Sequence, residues 1–353
     1  MSWRNAKTAW KTALKILPFV ALALGLAFTV WLVSAASLSA ILRSFTEVGW
    51  GVIAVVAVRA VMVATNGVAW SRLLAHLTKV PTGIFVFLRW LREAVDVLLP
   101  VAYIGGGLVG ARALTFWRVP GPIAFASAVA DLLLQTIAQV LFALAGVLLL
   151  ARLVGPGAVL TAALLAIAVA VLALAGFYVV QRYAGARIID RVLVVLSARL
   201  ASRAEATEPG FHAAMEQIWH GRRRYVAAAL LLHVLAWTVG TLEVFITLYF
   251  IGWPVTVQQA IILESLGASI SVAAFFIPGS WGVQEGGYIL IGHLLGLPIQ
   301  FALTLSFVKR IPDLVLGVPG LAAWYALETH WLVSQSHARA GNTGSAEGRA
   351  TPR

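Results

Sequence analysis

A few ionisable residues stand where charge is costly. Asp131 lies inside AFASAVADLLLQTIAQVLFALAG, a run that is otherwise apolar or mildly polar, and Lys309, Arg310 and Asp313 fall within a second apolar run. A charge at the centre of a bilayer costs about 2.5–3.5 kcal/mol on insertion scales. Three such groups in one segment therefore require pairing, a water-filled cavity or a place near the interface. Arg310 and Asp313 are three residues apart, the spacing of neighbours on one helix face, and are expected to pair. Glu285 sits among Gly282, Gly286 and Gly287, with Trp281, Val283 and Tyr288 around it. An acid in that setting can bind a cationic head group, carry a proton, pair with Arg310, or meet water at the outer interface. Gln284 lies beside it. Gln135 and Gln139 follow Asp131 at four-residue spacing, a stripe that suits either a polar cavity or a hydrogen-bonded helix seam.

No other catalytic constellation is present. The sequence contains no HExxH, Walker loop or GxSxG elbow, and Glu216 and His220 fit a solvated helix face. The absence of cysteine removes thiolate metal sites, cysteine nucleophiles and disulfides. No metal and no cofactor is expected, and a soluble enzyme is excluded.

The elements that carry these residues follow from composition. Of 353 residues, 61% are apolar and 11% charged. Soluble domains carry about 25% charged residues, and disorder requires low hydrophobicity, so the chain reads as an all-α polytopic membrane protein. Segments long enough to span lie near 16–36, 50–73, 121–151, 157–181, 225–251 and 299–327. Two stretches, 81–117 and 259–297, are apolar but broken. Six full spans plus two re-entrant elements result, or eight spans if each broken stretch crosses. The first apolar run exceeds a signal peptide's core and is expected to remain as a helix.

The net charge of +12 suggests nucleic acid at first sight. Placed on the chain, the positive excess collects in the N-terminus, the 72–118 region, the segment 182–224 and the tail. That is the positive-inside pattern of cytoplasmic segments, with both termini inside, and no nucleic-acid partner is expected. Residues 1–333 form one transmembrane domain with halves at about 50–181 and 225–327 and a basic cytoplasmic segment, 182–224, between them. Residues 334–353 read as a disordered cytoplasmic tail.

The broken stretches match each other. Each runs into a proline, Pro100 or Pro278, with Tyr103 or Trp281 three residues on and a GxxxG pair after it, Gly106/Gly110 or Gly282/Gly286. The helix beyond each carries the costly charges. An inverted repeat with interrupted hydrophobic elements points to a transporter's binding site. Proline and glycine free backbone groups that lipid cannot satisfy, so such breaks must be buried in protein or face a wet cavity. Close packing through GxxxG is the plainer alternative. The expected hinges are Pro100, Gly105, Gly106, Gly107, Pro278, Gly279, Gly282, Gly286 and Gly287. Ahead of the first break, 81–98 sets Arg89, Arg92, Glu93 and Asp96 opposite Phe85, Leu88, Leu91 and Val95, which reads as an interfacial helix. Arg92 and Arg112 are placed to hold a lipid phosphate at the cytoplasmic mouth.

The stretches LLPVAYIGGGLVGARAL, DLLLQTIAQ, FFIPGSWGVQEGGYILIGHLLGLP and SFVKRIPDLVLGVPGLAAW occur in this order. Together they resemble the transmembrane, flippase-like region of lysylphosphatidylglycerol synthases, and more closely its standalone members associated with hopanoid biosynthesis. The resemblance covers roughly residues 10–330. It implies a bacterial inner-membrane protein with related halves and re-entrant helices. In bifunctional relatives such a region moves an aminoacylated lipid outward while a soluble domain, absent from this sequence, makes it. The resemblance carries a role in the polar site onto Arg92, Asp131, Gln284, Glu285, Arg310 and Asp313; Pro312 departs from the family pattern. With Arg112 and Gln135 these are the expected substrate contacts. Lipid translocation without catalysis is the leading expectation. The lipids are anionic phospholipid or hopanoid-type, and lipid-biosynthesis enzymes are candidate partners. An intramembrane lipid-modifying transferase and a scaffold for a lipid-synthesis complex are the alternatives.

Overall fold

Proline and glycine punctuate the chain, and helices fill the intervals. The computed structural model describes residues 23–24, 26–34, 38–99, 105–155, 157, 210–221, 223–274 and 277–347. Its helices are α1 (Leu26–Ser34), α2 (Leu38–Val48), α3 (Gly51–Leu73), α4 (Thr82–Leu98), α5 (Gly105–Thr115) and α6 (Gly121–Val154). They continue as α7 (Phe211–Gly221), α8 (Arg223–Phe250), α9 (Val257–Ala273), α10 (Val283–Leu294) and α11 (Ile299–Glu347). A 3-10 turn, Pro278–Ser280, lies between α9 and α10, and no strand occurs among the described residues.

Local chemistry sets the boundaries. Pro81 and Pro120 precede α4 and α6 in extended conformation, and a second proline, Pro122, occupies the first turn of α6. A capping box starts α9: Thr256 Oγ1 accepts the Gln259 N–H at 3.2 Å, and Gln259 Oε1 accepts the Thr256 N–H at 2.9 Å. α3, α6 and α8 have 23, 34 and 28 residues and are apolar enough to cross a membrane. Twenty-three residues reach roughly 34 Å, the thickness of the hydrocarbon core and a little more. On α8, Leu231, Leu235, Leu242 and Tyr249 form an exposed stripe at helical spacing. In water that stripe is a liability, whereas lipid requires such a surface. The protein is an all-α polytopic membrane protein.

The expected spans at 50–73, 121–151 and 225–251 coincide with α3, α6 and α8 to within a few residues. The expected span at 16–36 lies partly outside the described residues; its described part holds α1, and α2 follows with the two axes 98° apart. One expectation differs. The span at 299–327 is the start of α11, which is helical through 334–347 where an unstructured tail was expected. No proline falls between Pro319 and Pro352, so a helix already nucleated upstream meets no breaker there. The expected span 157–181, Pro100 and most of 182–224 lie outside the described residues.

The two halves share one layout. In α3–α6 and in α8–α11, a long helix is followed by a 17-residue helix, a break, a short helix of 11 or 12 residues and a second long helix. α3 and α8 pack side by side and antiparallel: Gly51 lies beside Phe250, Arg59 meets Glu243, and Asn66 meets His233. Antiparallel pairing of equivalent helices is what halves related by an axis in the membrane plane require. Each half then lends its 17-residue helix to the other, α4 packing on α11 and α9 on α6. Trp90 Nε1 donates to the Leu316 carbonyl at 2.8 Å across the first contact, and Gln139 Nε2 donates to Ser269 Oγ at 2.8 Å across the second.

Two buried apolar clusters flank the centre. One gathers Trp70, Phe85, Leu88 and Leu114 with Phe211 and Ile218 of α7; the other gathers Val55, Val244, Leu248, Ile262 and Leu263. α4 corrects the expectation of an interfacial helix. Its apolar face is buried, but Arg89 and Arg92 are only 5% and 2% exposed. Its charged face turns into the protein because partners for those charges stand on α6.

Candidate functional site

The polar centre is built from two charge clusters, one on each second long helix. Asp131 of α6 is fully buried. Arg92 Nη1 donates to its Oδ2 at 2.8 Å, and Arg89 Nη1 lies 3.6 Å from the same oxygen. His233 Nε2 meets Oδ1 at 3.1 Å, and His233 Nδ1 meets Asn66 Oδ1 at 2.8 Å. Arg89 also donates to Gln135 Oε1 and Glu93 Oε2, both at 2.9 Å. The Arg92 guanidinium lies over the Trp70 ring at 4.7 Å, and Trp70 Nε1 is held by Ser127 Oγ at 3.0 Å. Gly110 of α5 has no room for a Cβ, because the Arg92 side chain fills that space. Asp96 accepts the Gly106 N–H at 2.8 Å and so fastens the start of α5 to the end of α4.

The second cluster reverses the signs. Lys309 Nζ of α11 donates to Glu243 Oε2 at 2.6 Å and to Glu264 Oε2 at 2.7 Å. Arg59 grips Glu243 with two bonds, Nε at 2.7 Å and Nη2 at 2.9 Å, and gives Nη1 to Asp313 at 2.8 Å. Forked guanidinium–carboxylate pairs of this kind fix orientation as well as charge. The result is a chain, Glu264–Lys309–Glu243–Arg59–Asp313, running through α9, α11, α8 and α3.

Glu285 organises the second break. Its Oε2 accepts the Gly282 N–H at 2.7 Å, which places an acid on the first turn of α10 where the helix dipole favours it. Its Oε1 accepts from Arg310 Nη2 at 2.7 Å and Nε at 3.0 Å, and from Ser306 Oγ at 3.3 Å. Arg310 also donates to the Gly279 carbonyl at 2.7 Å and lies over the Trp281 ring at 4.0 Å. Gly279 and Gly282 have φ of 64° and 79°, left-handed conformations that glycine adopts at little cost. Of the roles open to Glu285 in the sequence, the structure displays the pairing with Arg310, and Glu285 is fully buried rather than at a water interface.

Between the clusters lies a cavity of about 240 Å³ lined by both halves. Its walls carry Arg59, Arg89, Arg92 and Lys309 against Glu93, Asp96, Glu264 and Asp313. The size falls just below the ~300–1,000 Å³ of small-molecule sites, enough for a head group but not for a whole lipid. Behind its wall, the buried Nε of Arg89, Nε of Arg92 and Oε1 of Gln139 have no hydrogen-bond partner in the protein. No cluster of metal-ligating side chains occurs among the described residues.

Of the residues expected from sequence, Arg92, Gln135, Gln284 and Asp313 line this cavity. Asp131 stands behind Arg92, while Glu285 and Arg310 brace the adjacent break. Arg112 lies apart: it pairs with Glu328 and faces the Phe116 ring at 5.6 Å, so it does not share a phosphate site with Arg92. The expected Arg310–Asp313 pair is not formed, because Glu285 and Arg59 from other helices take the two partners. The expected hinges also separate. Pro278 opens the 3-10 turn and Gly279 and Gly282 make the turn itself, but Gly286 and Gly287 are inside α10, and Gly105, Gly106 and Gly107 begin α5. Of these, Gly106 and Gly287 serve close packing: a Cβ at Gly106 would meet the Arg92 carbonyl and Asp96, and one at Gly287 would press on Ile270, whereas Gly107 has open space.

Arg59, Glu243 and Glu264 were missed. Each is a charge set within an apolar stretch of helix, the same signal that singles out Asp131. Helix rank shows their place in the repeat. Asp131 and Lys309 are both eleventh in α6 and α11, Arg89 and Glu264 both eighth in α4 and α9, and Gln135 and Asp313 both fifteenth.

Residues 16–320 match the family model of the lysylphosphatidylglycerol synthase TM region. No curated protein and no solved structure matches the chain. The matched stretch contains both breaks and every member of the two charge clusters.

Proposed function

The chain belongs to the lysylphosphatidylglycerol synthase TM-region family, and we propose that it moves a membrane lipid between leaflets rather than transforming it. The head group occupies the central cavity while the hydrocarbon part stays in the bilayer. The observation that carries this reading is a charged cavity enclosed jointly by two inverted halves. A site at such a junction can be opened to either side by rocking one half against the other. The guanidinium groups of Arg89 and Arg92, which line the cavity, suit a phosphate, and the carboxylates across the cavity suit an amine or hydroxyls. A cleft between α3, α4 and α11, at Trp90, Pro312 and Gly317, shares Arg59, Glu93 and Asp313 with the cavity. At about 10 Å³ it has room for about one water, so hydrocarbon tails can leave along it only once α4 and α11 part.

On this reading the protein works in the bacterial cytoplasmic membrane with both termini inside, on anionic phospholipid or hopanoid-type lipids, beside enzymes that make them. The test is reconstitution into vesicles of phosphatidylethanolamine and phosphatidylglycerol, timing leaflet exchange of labelled lipids with several head groups. Exchange well above that of protein-free vesicles is expected. Equal rates for every head group, hopanoids included, would rule the reading out.

A further inference from the structure

The chain Glu264–Lys309–Glu243–Arg59–Asp313 contains three acids and two bases, so fully ionised it carries one negative charge too many. The surroundings do not supply the missing positive charge. Arg310 is committed to Glu285. From α4, Arg89 is committed to Glu93 and Asp131, and Glu93 and Asp96 add only negative charge; from α8, His233 is committed to Asp131 and Asn66. From α6 the nearest groups are the neutral Gln139 and the Asp131 already matched by Arg92. From α10 the cavity receives only the amide of Gln284 and the phenol of Tyr288. An unmatched charge away from water is expensive, and the group neutralises instead.

We propose that Glu264 is a proton-binding site, and that the proton leaves when positive charge enters the cavity. The geometry selects Glu264 from the two ends of the chain. Its side chain is 3% exposed against 23% for Asp313, and it shares the single ammonium of Lys309 with Glu243. Glu264 also lines the cavity, so a cationic group that arrives there comes close to it. The exchange balances: the O–H bond of the Glu264 carboxyl breaks, the proton passes to cavity water, and the carboxylate pairs with the incoming cation. Where the cation belongs to a lipid head group, each crossing returns one proton in the opposite sense. A pH difference across the membrane then drives the lipid. This coupling rests on the transport reading above; the proton site itself does not. Affinity for the cation rises with pH, by up to about tenfold per unit for one released proton.

The site is read on the full chain in mild detergent by infrared difference spectroscopy between acidic and alkaline buffer. A titrating carboxyl C=O band is expected, lost in Glu264→Gln and kept in Asp313→Asn. Its absence from the unaltered protein, or its loss in Asp313→Asn instead, overturns the assignment. A second measurement covers a Glu264→Gln variant that fails to fold. A hydrophobic carbodiimide adds to a protonated carboxyl, and mass spectrometry should map it to Glu264 at a rate that falls as pH rises. Labelling that spares Glu264 overturns the assignment. In the phosphatidylethanolamine–phosphatidylglycerol vesicles an imposed pH difference should change the exchange of an amine-bearing labelled lipid several-fold, and Glu264→Gln should abolish that response. Exchange indifferent to the gradient refutes the coupling and leaves transport standing. A titrating Glu264 without exchange refutes transport and leaves the proton site standing.

Discussion

Asp131 and Lys309 hold the same rank in α6 and α11, yet one is an acid gripped by cations and the other a base gripped by acids. The same inversion holds one layer out, where Arg89 of α4 answers to Glu264 of α9. The fold therefore specifies that a buried ion pair must tie each 17-residue helix to its half's second long helix, and leaves the sign free. Backbone repeats while charge reverses. The two ends of the cavity consequently differ in polarity, which a symmetric dimer of identical halves cannot achieve.

The sharpest way to break this comparison is to remove one centre. Lys309→Met leaves Glu243 and Glu264 facing each other and should cost about 3–5 kcal/mol of stability, read from unfolding in detergent. Asp131→Leu should fall at the lower end of that range, since Arg89 retains Glu93 and Gln135. Equal or smaller loss at Lys309 would mean that the clusters are not organised as described. At alkaline pH, where Glu264 has given up its proton, adding Glu264→Gln to Lys309→Met should recover part of the loss, with a coupling of about 1–3 kcal/mol in a double-mutant cycle. Gly110→Val drives a side chain into Arg92 and should cost about 1–3 kcal/mol while leaving the second cluster intact. Trp281→Leu removes the ring under Arg310 and should cost about 0.5–2 kcal/mol. Arg112→Ala, outside both clusters and partly exposed, should cost no more than about 1 kcal/mol and leave lipid exchange unchanged.

The sequence disclosed the helices well because lipid makes apolar length nearly sufficient: α3, α6 and α8 lie where their runs of Val, Leu and Ala lie. It also disclosed the two breaks, through Pro278 and the glycine clusters. Partners were harder to read. Arg310 and Asp313 stand one turn apart, and nothing local announces that Glu285, 25 residues earlier, and Arg59, 254 residues earlier, claim them. Pairing across the bundle depends on which helices touch, and the exchange of α4 and α9 between halves is a tertiary fact. Arg59 in AVVAVRAVMVATNG nonetheless carried the same warning as Asp131, a single charge with no reason to be in lipid. The charge-in-apolar-helix rule, applied to every helix, adds Arg59, Glu243 and Glu264 to Asp131 and Lys309 before any pairing is known.

The prolines of α11 set the two halves apart mechanically. Pro312 and Pro319 lie within α11, whereas α6 has its proline in the first turn and none within. Each internal proline deletes one rung of the backbone ladder and pushes on the turn before it, so α11 bends there at lower cost than α6 bends anywhere. Pro312 lines the cleft between α11 and α4, and Gly317 and Gly320, on either side of Pro319, press on Leu98 and Ala94 of α4. The α6–α9 seam opposite has no such joint. The molecule thus has a stiff post and a pliant one.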